Sequence, residues 1–114
     1  MSAIAYCAGV IDGEGYVSMY RAVRRYRTHP QAMIAVEMTD FDTVIFLSNT
    51  FGCGSLCQPK VRAAHHKPSL RWTVGARNAL QVANLILPYS ISKREGVLAI
   101  IAHYKCNQLQ IATA

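Results

Sequence analysis

Acidic residues are scarce in this chain: six Asp and Glu stand against twelve Lys and Arg in 114 residues, a formal net charge of +6. That imbalance suits a polyanionic partner. Long apolar runs are missing too. None approaches the roughly 20 residues of a membrane span, so no membrane partner is expected. No basic segment precedes the first apolar run, so the N-terminus does not read as an export signal. Cysteine is limited to Cys7, Cys53, Cys57 and Cys106. Without export, these are expected to be reduced thiols in a soluble intracellular protein. No linker or low-complexity tract divides the chain. Apolar residues still make up 52%, which excludes a disordered tail and fits one domain, residues 1–114, with one modest core.

Cys53 and Cys57, followed by His65-His66, are zinc-ligand types. Their spacing is loose, and adjacent histidines seldom both ligate one ion. A zinc-stabilised module therefore ranks behind the readings below.

What is present is a regular alternation of patterns. Ser2 is placed to cap a helix over 3–12, with Ile4, Cys7 and Ile11 facing a core. Ala5, Gly9 and Asp12 form a second, small-residue face at spacings of four and three. Gly13 and Gly15 end the helix. A strand over 16–25 carries Val17, Met19 and Val23 on one side and Tyr16, Ser18, Tyr20 and Arg24 on the other. His29-Pro30 reads as a turn. A second strand over 31–39 alternates more cleanly, with Ala32, Ile34, Val36 and Met38 on one side.

Asp40 or Asp42 can cap a second helix reaching about Phe51, stopped by Gly52 and Gly54. A third strand is expected over 55–62, weakened by Pro59, and a fourth over 69–74 with Leu70, Trp72 and Val74 inward. A third helix over 76–87 ends at Pro88, and Ser92 caps a last helix to about Gln108. The order αββαββαα implies an α+β domain. Its four-stranded antiparallel sheet is covered by helices on one face and open on the other.

The open face would carry Ser18, Tyr20, Arg24, Gln31, Glu37, Thr39, Arg71 and Thr73. Varied donors and acceptors with several cations are what base readout in the major groove needs. Lys60, Arg62, Lys67 and the run Arg24-Arg25-x-Arg27 fall at strand ends and loops, where phosphate contacts are expected.

The run Ala5-Tyr6-Cys7-Ala8-Gly9-Val10-Ile11-Asp12-Gly13-Glu14-Gly15-Tyr16 resembles the LAGLIDADG signature of the homing endonucleases. Three further landmarks follow in order. Thr39-Asp40 is similar to the family's polar active-site position. Phe51-Gly52-Cys53-Gly54-Ser55-Leu56 is similar to its helix-to-strand turn. Pro88-Tyr89-Ser90-Ile91-Ser92-Lys93 is similar to the segment with its catalytic lysine. The resemblance spans Ala5 to about Leu98.

That resemblance implies a site-specific endonuclease that cuts both strands of a long, near-palindromic DNA site as a homodimer. It implies no small-molecule substrate, and a gene of the kind that moves with an intron or intein. Glu14 would bind Mg²⁺ (or Mn²⁺ or Ca²⁺ as substitutes), with the Gly13 backbone carbonyl beside it. Asp40 would position a water, and Lys93 would stabilise developing charge. The Ala5, Gly9 and Asp12 face would pack on its twin about a two-fold axis. Asp12 would be structural, capping or bonding the partner helix end. Hard carboxylates holding Mg²⁺ suit phosphodiester hydrolysis.

The chain also departs from the family. Glu14 stands where the family most often has Asp, Asp40 where some relatives have an amide, and Val44 where a relative has a basic residue. A non-cleaving DNA-binding protein, or an RNA maturase on the same scaffold, is the alternative.

Overall fold

Ser2 opens the first element. Its hydroxyl accepts a 3.1 Å hydrogen bond from the Ala5 N–H and caps helix α1, Ala3–Glu14. The computed structural model describes residues 2–24, 27–61 and 66–113, without side-chain detail for 21–29 and 106–113. Helix α1 passes into strand β1, Gly15–Arg24, with no loop between. Gly15 makes that junction. Its N–H closes the helix on the Ile11 carbonyl, and an added Cβ would lie 2.6 Å from that same oxygen. Any side chain there would push β1 away from α1.

Strand β2, Arg27–Met38, pairs antiparallel with β1 from Gly15↔Val36 to Arg24↔Arg27. Helix α2 is Phe41–Phe51, stopped by Gly52 in the left-handed conformation at φ 69°. Strand β3 is Ser55–Cys57 and β4 is Leu70–Gly75. The sheet order is β1-β2-β4-β3, with every pairing antiparallel. Helix α3, Ala76–Ile86, runs into a 3₁₀ turn at Leu87–Tyr89, and helix α4 is Arg94–Thr113.

The helices cover one face. Ala32, Ile34 and Val36 of β2, with Trp72 and Val74 of β4, are at most 2% exposed. They meet Cys7, Ala8 and Ile11 of α1, Val44 and Leu47 of α2, and buried residues of α3 and α4. The alternation in β2 and β4 is the one the sequence announced. In α1 the buried face is turned slightly: Ala8 is fully buried, and Ile4 is only half-buried. Helix α4 comes close to β1 through Gly96, where a Cβ would meet the Val17 carbonyl oxygen at 2.8 Å.

Three local expectations need correction. His29 and Pro30 do not form the turn; both lie within β2, paired with Ala22 and Arg21. The β2–β4 ladder ends at Met33↔Gly75, so β2 has an open edge at Pro30, where a residue without an N–H is tolerated. The third strand stops at Cys57 instead of continuing to 62, since Pro59 cannot donate to a continuing ladder. Ser92 does not cap the last helix, which starts later and runs longer than expected. Its hydroxyl donates instead to the Asp12 carbonyl at 2.7 Å. One backbone outlier marks the β4–α3 junction: Ala76 has φ 54°, a region that L residues adopt at a cost.

Candidate active end and nucleic-acid interface

Two carboxylates lie at the C-terminal end of α1, and they are used differently. The Asp12 carboxylate accepts from three backbone N–H groups ahead of α4: Ile91 at 2.9 Å, Ser92 at 3.1 Å and Lys93 at 2.9 Å. These groups precede α4 and have no helical partner of their own. The Lys93 amide contributes most to holding the Asp12 carboxyl below its usual range; burial opposes this, and the Ser92 and Ile91 amides add to it. The Asp12 backbone carbonyl, exposed at the end of α1, accepts from Ser92 Oγ and, at 3.3 Å, from Lys93 Nζ. A cation at a helix C-terminus is where the macrodipole favours it.

Glu14, two residues on, is exposed, and among the described residues no hydrogen bond or ion pair engages its carboxylate. It sits where α1 hands over to β1, at the border between the covered and open faces. It lines a hollow of about 470 Å³ with Tyr16, Met33, Glu37, Arg71 and Thr73. Gly13 beside it is exposed, with nothing within 4 Å of a notional Cβ.

A hard divalent cation is commonly bound by one or two carboxylates together with substrate phosphates and waters. The free Glu14 carboxylate and the Gly13 carbonyl fit that chemistry by donor type. One chain supplies only part of a shell. Among the described residues no group of three ligating side chains comes together, Cys53, Cys57 and His66 included.

Asp40 is the residue before α2, in the N-cap position. Its carboxylate bonds no backbone N–H of the helix; it accepts from the Thr43 hydroxyl at 2.8 Å. Val44 is fully buried in the core.

The open face of the sheet is built by residues one out of phase with the core. Tyr16 and Tyr20 are 51% and 38% exposed, and Ser18, Gln31 and Thr73 are half-buried. The Ser18 hydroxyl donates to the Met19 carbonyl at 3.2 Å. Thr39 is exposed just past the end of β2. Lys60 is exposed and shares a larger hollow, about 800 Å³, with His66, Lys67, Glu37 and Arg71. The side chain of Arg24 and all of Arg62 lie outside the described residues.

Glu37 and Arg71 face each other across β2 and β4 and form an ion pair at 2.8 Å. The hydrogen bonds from Arg71, then that from Ser69, lower the Glu37 pKa against the effect of burial. Ser69 and Tyr16 belong to this surface and were not among the residues expected to contact DNA, although strand parity had already put Tyr16 on the side of Ser18 and Tyr20. Ser69 had no local signal.

On α1, Ala3, Tyr6, Gly9 and Gly13 are exposed, whereas Ala5 and Asp12 are half-buried. Tyr6 packs edge-on against Phe46 of α2, with ring centroids 5.6 Å apart.

These elements form a two-layer α+β domain whose antiparallel sheet is open on one face and whose first helix ends in an acid at the sheet border. This is the fold of the LAGLIDADG homing endonucleases. Particular solved structures share it. The meganuclease I-SmaMI, bound to uncleaveable DNA, superposes with a TM-score of 0.73 at 16% identity, covering 94% of this chain and 37% of its own. The homing endonuclease I-CvuI, in complex with its target in the presence of Ca, gives 0.70 at 18%, covering 85% and 62%. The LAGLIDADG homing endonuclease I-GzeII, with its DNA target, gives 0.53 at 13%, covering 75% and 27%. The chain thus spans under two thirds of the length of each of these three. No family model and no curated protein sequence matches the chain. Among the described residues no helix is long and apolar enough to cross a membrane.

Proposed function

We propose that this chain is a divalent-metal-dependent, site-specific DNA endonuclease that acts as a homodimer on a near-palindromic duplex. The observation that carries the reading is Glu14. Its carboxylate is exposed at the border of the open face and has no partner among the described residues, while Asp12 holds the start of α4 beside it.

Two strands need two cuts, and one chain offers one free acid at this end. A second copy packed along the exposed side of α1, where Gly9 and Gly13 leave room for a close approach, would bring a second Glu14 to the axis. Ala5 and Asp12 would flank that contact. Glu14 and the Gly13 carbonyl would hold the cation. When bound, Mg²⁺ supplies an activated water and stabilises the leaving oxygen.

The chain's own residues do the rest. Lys93 Nζ, set against the Asp12 carbonyl, would present positive charge to the scissile phosphate. Asp40 would order water. Ser18, Tyr20, Gln31, Thr73 and their neighbours would meet base edges, and Lys60 and Lys67 would meet phosphates. Mobility of an intron or intein would be the biological setting.

The test is a cleavage selection from a library of palindromic duplexes in Mg²⁺, with Glu14→Gln as control. Cut ends from the wild type alone are expected; cutting by both proteins overturns the assignment. A second reading, a non-cleaving DNA or RNA binder, is favoured by one observation. Asp40 and Lys93 already have partners within the fold, on Thr43 and Asp12. Specific enrichment by binding with no cutting by the wild type selects it.

A further inference from the structure

Arg71 and Glu37 occupy one cross-strand row of the open face, with Cys57 next in line on β3. Arg71 Nε donates to Glu37 Oε1 at 2.9 Å, and Nη2 approaches the same oxygen at 2.8 Å. Ser69 Oγ donates to the other carboxylate oxygen, Oε2, at 3.0 Å. All three side chains stand on or beside the open face, and those of Arg71 and Glu37 are 47% and 42% exposed.

This bonding pattern is selective about which donors it consumes. A guanidinium has five N–H donors in a fixed planar fork. Glu37 takes one edge, through Nε and Nη2. The end-on edge, formed by Nη1 and the second hydrogen of Nη2, has no acceptor among the described residues. Ser69 fixes the carboxylate from behind, so the fork is held in one orientation. The hydrogen bonds from Arg71, then from Ser69, also hold the Glu37 carboxyl below its usual range.

Two parallel donors match the paired O6 and N7 acceptors of guanine in the major groove. Adenine offers an acceptor beside a donor there, so it is mismatched. Holding the fork before binding removes an ordering cost that a free arginine would bear.

We propose that Glu37 and Ser69 hold Arg71 as a fixed fork that reads one guanine in each half-site, on the side nearest the cut. The position follows from the shared hollow, which Arg71 and Glu14 both line. Arg71 contacts the base; Glu37 and Ser69 are positioning residues. The inference rests on the DNA-binding reading above.

The experiment is a binding selection from randomised duplexes without cleavage, run in Ca²⁺ in parallel on the wild type, Arg71→Ala, Arg71→Lys and Glu37→Gln. Thermal unfolding of each variant is followed alongside. The wild type is expected to enrich a G·C pair at one position per half-site. Arg71→Ala should lose that preference alone and keep the others. Arg71→Lys should weaken it, since an ammonium does not present a planar fork. Glu37→Gln should keep the fold but reduce discrimination at that pair by about tenfold. A pairing that only ties β2 to β4 would shift unfolding and leave the base profile unchanged, and that result overturns the proposal. An Arg71→Ala profile identical to the wild type's overturns it while leaving the DNA-binding reading intact. A wild type that enriches no sequence overturns both.

Discussion

Along β2, Ala32, Ile34 and Val36 are at most 1% exposed, while Gln31, Met33, Ala35 and Glu37, one residue out of phase, remain half-buried or exposed. The two faces of one sheet therefore carry different kinds of residue. The covered face is aliphatic with one large aromatic, Trp72. The open face mixes tyrosines, an amide, hydroxyls, a thiol and an ion pair. Packing explains the first set, because close-packed interiors accept only shapes that fit. The variety of the second fits the proposed reading, a partner recognised through chemical detail. The end of α1 repeats the division on a smaller scale, with Asp12 committed to the fold and Glu14 left free.

The contrast can be broken hardest at Trp72. It is fully buried, stacked on Phe51 with centroids 5.5 Å apart, and its indole N–H donates to the Cys53 carbonyl at 2.9 Å. Trp72→Ala should cost about 3–5 kcal/mol in chemical denaturation. Tyr16→Ala on the open face should change stability by less than about 0.5 kcal/mol and weaken DNA binding instead. Equal losses of stability at both sites would dissolve the distinction.

Asp12→Ala should cost roughly 1–3 kcal/mol, since three N–H groups lose a charged acceptor. Its pH dependence sharpens the point. The folded-state pKa of Asp12 is depressed, so its contribution is complete above the ordinary carboxylate value and is lost as pH falls through the lower folded one. The gap between wild type and variant should therefore close below about pH 4. A gap that persists in acid would place the effect elsewhere.

The smallest effect is expected at the β4–α3 junction, which belongs to neither face. Ala76 at φ 54° should be relieved by Ala76→Gly, raising stability by up to about 1 kcal/mol. Unchanged or lowered stability would show that the turn carries no strain.

Much of this was legible in the sequence because the relevant signals are local. The alternation of β2 and β4, the glycine stops at Gly15 and Gly52 and the acid at position 14 need no distant information, whereas Gly13, expected to end the first helix, lies inside it. Pro30 and Pro59 misled in opposite senses. Pro30 looked like a turn, yet it is accommodated because β4 ends at Gly75, a fact about another strand. Pro59 weakened a strand that was still drawn too long. The caps and pairs that decide the site are non-local. Asp12 reaches groups about 80 residues away, and Ser69 supports a glutamate 32 residues before it. No pattern within α1 or β2 announces either partner. The openness of Gly9 and Gly13 on α1, in contrast to half-buried Ala5 and Asp12, likewise depends on what packs behind the helix.

The central claim is the division between the two acids at the end of α1. It is tested most directly by measuring thermal unfolding and cleavage of a selected duplex side by side for Asp12→Asn and Glu14→Gln. The account predicts that Glu14→Gln unfolds with the wild type and no longer cuts, whereas Asp12→Asn unfolds several degrees lower. Cleavage at the wild-type rate by Glu14→Gln, or a loss of stability as large as that of Asp12→Asn, would contradict it.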